Sequence, residues 1–202
     1  MAERVSNGDC LSPLRESADV ILERHNIKIE GAVKTEEKAA LARLIQGLEK
    51  LGPGNFKYHR GARFIYRTGR LRSRFNGKAI EINPGEQNIH SLRDKSLGGT
   101  NNVGLHAHEL GHFVGFKGLY PKYFAAVPDK NRCLVSQYAK TNRNEEFAEA
   151  FAAFLMDPEH LKNGGGGCAQ ASRFFAEIFG IKEMVERPCP PVQTAESSKL
   201  SS

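Results

Sequence analysis

Apolar positions recur with helical period through residues 35–51, "TEEKAALARLIQGLEKL", where Leu41, Leu44, Ile45, Leu48 and Leu51 share one stripe. Thr35 is placed to cap this helix, Glu36 and Glu37 suit its first turn, and "GPG" at 52–54 stops it. A shorter helix is expected over 12–25, with Ser12 as the cap and Pro13 at the first helical position. The period then changes to two. "ARFIYR" (62–67) and "KAIEIN" (78–83) read as strands, the second alternating Ile80 and Ile82 with polar neighbours.

"NPGEQN" breaks that pattern, and Thr100 or Asn101 can cap a mostly apolar helix carrying Val103, Leu105, Leu110, Phe113 and Val114. After a less regular stretch from 117 to 136, a helix is expected over 143–156, ended by "DPEH". "NGGGGC" (163–168) reads as a flexible link to a last amphipathic helix at 169–180. Strands early and helices late imply an α+β domain with a small early sheet.

Composition places this pattern in one ordinary domain: 202 residues, 40% hydrophobic and 26% charged. The expected division is an N-terminal extension at 1–30, read as a secretion or targeting segment, a domain at 31–187, and a disordered tail at 188–202 rich in Pro and Ser. No stretch approaches the ~18 apolar residues of a membrane span. The first twenty residues lack an apolar signal-peptide core, which implies either a cytoplasmic protein or export by another route. Cys10, Cys133, Cys168 and Cys189 form no CxxC pair and read as scattered thiols rather than as a disulfide framework or a sulfur-ligated zinc site.

The net charge of +6 is concentrated. Lys57, Arg60, Arg63, Arg67, Arg70, Arg72, Arg74 and Lys78 stand in residues 51–80 with no Asp or Glu among them. Such a block is either a solvated face or an attractor of acidic partners. No nucleic-acid-binding motif accompanies it, so nucleic acid is disfavoured.

The chemistry is carried by "GLHAHELGHFVG" (104–115). His108 and His112 are four residues apart, so on a helix both rings leave one face a turn apart and can fill two corners of a zinc tetrahedron. Glu109 sits about 100° around and can reach a metal-bound water as a general base without ligating. Two histidines and a glutamate in an apolar segment need such compensation for their burial. Gly111 lets a second backbone approach closely. His106 lies about 200° from His108 and reads as a supporting or packing residue.

A third ligand is not local. The HExxHxxGxxH pattern fails, because Gly118 stands at its last position. The later segment "SQYAKTNRNEEFAEAFAAFL" offers Glu145, Glu146 and Glu149. Glu145 and Glu149 share a helix face, and one carboxylate on the metal with another holding a ligand imidazole would use that spacing. Alternatively, Asn142 and Glu145 form a capping pair that only stabilises the helix start.

"HELGH" followed by "YAKTNRNEEFAEAF" resembles the lethal-factor-like family of zinc metallopeptidases, gluzincins that take in the secreted Pro-Pro endopeptidases. The resemblance extends more loosely over residues 35–180. It implies a zincin-like metallopeptidase domain holding one zinc per chain on His108, His112 and Glu145, with Glu109 as the base. It further implies Tyr138, seven residues before Glu145, as hydrogen-bond donor to the reaction's oxyanion, and Glu149 as support behind a ligand histidine. Tyr120 and Tyr123 compete with Tyr138 for that role, being nearer His112 in sequence.

The expectation is therefore a monomeric endopeptidase acting on a protein or peptide substrate. That substrate lies along a sheet edge formed by "AIEIN" and is acidic near the cut, read by Arg70, Arg72 and Arg74. Delivery as an effector or toxin fits the resemblance, although this chain lacks the signal peptide of the Pro-Pro endopeptidases. Two other readings compete. One is a catalytically silent zinc module that docks a partner by its basic face, and the other is a cytoplasmic metallohydrolase of small peptides.

Overall fold

The computed structural model describes residues 14–51, 56–69, 72–84 and 103–181. Ser12, Pro13, Arg70, Thr100, Asn101 and the tail at 188–202 lie outside them, as do residues 85–88 of the expected break. The described part is α+β, with a four-stranded sheet and mostly helices after it.

Helix α1 (Ala18–Arg24) begins at Ser17, whose hydroxyl accepts from the Val20 N–H, and its Ile21 and Leu22 pack into the core. Strand β1 (Lys28–Gly31) follows, then α2 (Thr35–Lys50), which starts one residue after a Lys34 that makes no side-chain cap. The α2 stripe packs as expected: Leu41, Leu44, Ile45 and Leu48 are fully buried, and Leu51 is half-buried. A single turn, α3 (Phe56–His59), leads to β2 (Arg63–Tyr66), β3 (Arg74–Phe75) and β4 (Ile80–Ile82). Residues 18–30, which the expected boundary sets outside the domain, are built into it, α1 against α2 and β1 beside β2.

The sheet order is β1-β2-β4-β3, with β1, β2 and β4 parallel and β3 antiparallel to β4. The "AIEIN" strand is therefore interior, not the expected edge. The hairpin through Asn76 and Gly77 lays β3 along its outer side, and Asn76 Oδ1 closes the turn by accepting from the N–H groups of Lys78 and Ala79. Ile80, Glu81 and Ile82 are all buried, and the charge on Glu81 is met by Arg74 Nε at 2.9 Å and Arg67 at 3.6 Å. Arg63 donates to both oxygens of Glu30 at 2.6 Å. The basic block is thus not one uncompensated face.

Helix α4 (Val103–Val114) carries the histidines and is buried along almost its whole length between the sheet, α2 and α6 (Arg143–Met156). Between them lie a π-helical turn at Gly115–Leu119, helix α5 (Tyr120–Ala126) and two short 3₁₀ turns, more order than the pattern of 117–136 predicts. Helices α7 (Pro158–Asn163) and α8 (Cys168–Ile178) complete the chain's described part. Phe147, Phe151 and Phe154 of α6 meet Phe175 and Phe179 from α8 and its end, with ring centroids 5.3–6.1 Å apart.

Two expectations about the cysteines and glycines change here. Cys133 and Cys168 form a disulfide, so they are not scattered thiols. The glycine run before Cys168 is not a loose link, because the Gly167 N–H donates to Arg132 O at 3.1 Å and fixes the run against the 131–133 segment. Among the described residues, no helix is long and apolar enough to cross a membrane.

Candidate metal centre

The centre forms where α4 crosses α6. The two helices approach closely because position 111 has no side chain: a Cβ there would stand 3.0 Å from Ala148 Cα and 3.3 Å from Ala148 O. At that distance side chains one helical turn from the crossing face each other. His108 and His112 point from α4, and Glu145 points from the first turn of α6.

Their inward atoms make a near-equilateral triangle. His108 Nε2 and His112 Nε2 are 3.1 Å apart, and each lies 3.1 Å from Glu145 Oε2. The opposite nitrogens are both engaged, His108 Nδ1 with Glu149 Oε1 at 2.6 Å and His112 Nδ1 with the Tyr120 hydroxyl at 2.9 Å. A carboxylate only accepts, so His108 carries its proton on Nδ1 and presents a lone pair at Nε2 when neutral. The Tyr120 hydroxyl can accept from His112 in the same way. Two imidazole lone pairs and a carboxylate oxygen then converge on one point, which is repulsive unless a cation or a shared proton sits among them.

The triangle fits zinc. Bonds of 2.0–2.1 Å at tetrahedral angles place ligand atoms ~3.3–3.4 Å apart, a few tenths of an ångström wider than seen here. The three residues could therefore hold a metal ion. When protons rather than a cation occupy the triangle, burial pushes the Glu145 carboxyl up, but hydrogen bonds from His108 and His112 outweigh it and hold the group well below the usual carboxylate range.

Around the triangle, a cleft of ≈ 580 Å³ is lined by Glu109, Tyr138, Tyr120, Asn142 and Asn144, and also by Arg72, Arg74, Phe75 and Phe116. Glu109 is 2% exposed and lies in the cleft beside the two histidines. The Tyr138 ring stands 5.7 Å from the His108 ring. Asn142 caps α6, its Oδ1 accepting from the N–H groups of Asn144 and Glu145. The capping thus uses Glu145's backbone, while its carboxylate turns to the histidines.

Tyr120 was legible only as a competitor to Tyr138, yet its hydroxyl is committed to His112. It reaches there because Gly115 leaves room: a Cβ at 115 would stand 2.4 Å from the Tyr120 ring. Burial, then the charges of Glu145 and Glu109, push its hydroxyl above the usual tyrosine range, so it stays protonated. Tyr123 is buried elsewhere, with its hydroxyl 3.3 Å from Glu146. Glu146 points away from the centre into a closed network, accepting from Arg132 Nε at 2.6 Å, Arg143 Nη1 at 2.7 Å and the Cys133 N–H at 3.0 Å. His106 is a core residue, 2.7 Å from the Tyr66 hydroxyl. Of the three arginines expected near substrate, Arg72 and Arg74 line the cleft and Arg70 lies outside the described residues.

No family model, no curated protein and no solved structure matches this chain.

Proposed function

We propose that this chain is a zinc-dependent endopeptidase with a zincin-like fold, of the lethal-factor-like gluzincin type. The observation that carries the reading is the 3.1 Å triangle of His108, His112 and Glu145 with both outer histidine nitrogens already bound. A structural zinc site would need neither an open corner nor an adjacent carboxylate and tyrosine in a solvent-accessible cleft, which weighs against a silent module.

His108, His112 and Glu145 would hold the ion, with Glu149 and Tyr120 fixing the rings from behind. Bound zinc supplies Lewis acidity and brings the pKa of a coordinated water down to ~7. The chain's own residues do the rest. Glu109 takes a proton from the attacking water, whose oxygen bonds to the carbonyl carbon, and passes a proton to the leaving nitrogen as the C–N bond breaks. Tyr138 donates a hydrogen bond to the carbonyl oxygen as negative charge develops there. One water is consumed, and a carboxylate and an amine are released.

The Cys133–Cys168 bond favours a chain that works outside a reducing cytosol, which fits a secreted effector better than a cytoplasmic peptidase. The test is zinc content beside proteolysis. Wild type should hold one zinc per chain and cut unfolded protein, whereas Glu109→Gln should keep the zinc and cut nothing. A wild-type chain that takes up no zinc after dialysis against it, or a Glu109→Gln chain that cuts equally well, would sink the proposal.

A further inference from the structure

One wall of the cleft is made by β3 and by the turn that follows α4. Phe116 is 62% exposed, the most exposed large apolar side chain among the described residues, and it lines the cleft. It is not loose. Its ring meets Phe75 edge-on at 5.5 Å, and Phe75 meets Phe113 of α4 at 5.8 Å, so three rings form a ledge from the active helix to β3. Lys117 lies over the Phe113 ring at 5.3 Å and adds positive charge at the same margin.

The neighbouring arginines differ in kind. Arg74 is spent on the buried Glu81, whose carboxylate it meets at 2.9 Å. Arg72 is exposed, lines the cleft, and makes no ion pair with any described residue. Phe75 sits on a strand beyond which no other described strand lies. Its pair with Ile80 is the one next to Asn76–Ala79, where the Asn76 N–H bonds to Ala79 O, so by antiparallel alternation the Phe75 backbone groups face outward.

We propose that this wall is the specificity site of the cleft. It takes an extended peptide segment in which a large apolar side chain lies on the Phe116–Phe75 ledge and a nearby Asp or Glu pairs with Arg72. The proposal rests on the metallopeptidase reading for its setting. It narrows the acidic preference expected of three arginines to one of them and adds an apolar requirement. An exposed aromatic is kept solvated only at a cost, and a cleft that covers it with a ligand side chain recovers that cost. Arg72 pairs with a carboxylate at the rim, where a single unpaired guanidinium selects more than it holds.

The experiment is affinity selection of a Gly-Ser-framed peptide library, randomised at five successive positions, on the zinc-loaded full-length Glu109→Gln chain. Retained peptides should be enriched about three- to tenfold in Phe, Leu or Met together with Asp or Glu. Phe116→Ala should erase the apolar enrichment and keep the acidic one, and Arg72→Gln should do the reverse. Both residues are exposed, so neither change threatens the fold. Apolar enrichment that survives Phe116→Ala, acidic enrichment that survives Arg72→Gln, or no enrichment at all overturns the specificity site. Wild-type chain is then incubated with the retained peptides. Enrichment without cleavage refutes the peptidase and leaves the site standing, while cleavage of peptides lacking both features refutes the site and leaves the peptidase.

Discussion

Glu145 and Glu146 are adjacent and chemically identical, yet their surroundings assign them opposite work. Glu145 faces two imidazole nitrogens across the cleft, and Glu146 satisfies two arginines and a backbone N–H in the interior. Glu145→Gln should leave thermal stability nearly unchanged and weaken zinc, because a neutral amide oxygen is a poorer ligand than a carboxylate. Glu146→Gln should keep the zinc and lose about 1–3 kcal/mol of stability, since Arg132 and Arg143 forfeit their countercharge. Zinc per chain and a urea midpoint for each variant separate the two, and zinc loss confined to the Glu146 variant would reverse the assignment. Tyr120 acts one step further out. Tyr120→Phe keeps the ring in the space beside Gly115 but removes the partner of His112 Nδ1, so zinc affinity should fall about 10–100-fold without a change in melting temperature. A chelator competition that finds no difference would show that Tyr120 does not orient His112.

At the scale of elements, the centre depends on how near α4 lies to α6, and Gly111 sets that distance. Gly111→Ala would place a methyl 3.0 Å from Ala148 Cα and 3.2 Å from the Phe151 ring. Backbone cannot yield as a side-chain end can, so the helices must part, at a cost of about 1–3 kcal/mol. Because His108 and His112 ride on one helix and Glu145 on the other, zinc affinity should drop with the urea midpoint, and a midpoint that falls alone would mean that the crossing does not govern the site. The same dependence explains what could be read in advance. Two histidines four apart, and Glu145 with Glu149 on one face, follow from the period of a helix and need no tertiary knowledge. Both helices carrying the centre were legible for that reason. Strand β1 was not: Lys28–Gly31 is mostly exposed, so it shows no alternation, and only its pairing with β2 makes it a strand. Strand β3 is two residues inside an arginine-rich run, although the Asn76–Gly77 pair was a readable hairpin signal that would have moved "AIEIN" off the edge. Tyr120 stands eight residues beyond His112 across a π-helical turn, a separation for which helical period offers no rule.

Across the whole molecule, the segment that carries Tyr138 is held by two anchors, the Glu146 network and the disulfide. Cys133 lies five residues before Tyr138, its N–H donates to Glu146, and its sulfur bonds to Cys168 at the start of α8. Nothing in the spacing of the cysteines announces this pair, because a closure across 35 residues is decided by where α8 docks on α6. A loop of that length is worth about 4 kcal/mol in denatured-state entropy. The Cys133→Ser, Cys168→Ser double variant should therefore unfold at a markedly lower urea concentration than wild type. Its effect on function should be uneven. The three candidate ligand atoms stand on α4 and α6, whose close approach is set at Gly111 rather than at either cysteine, so zinc per chain should be kept under conditions where the variant is folded. Tyr138 is on the tethered segment, so if it acts on the carbonyl oxygen as proposed, kcat should fall on freeing it while zinc content does not. Loss of zinc in step with kcat would mean that the disulfide supports the metal ligands themselves. An unchanged kcat in the folded variant would mean that the Glu146 network alone is enough to place the tyrosine.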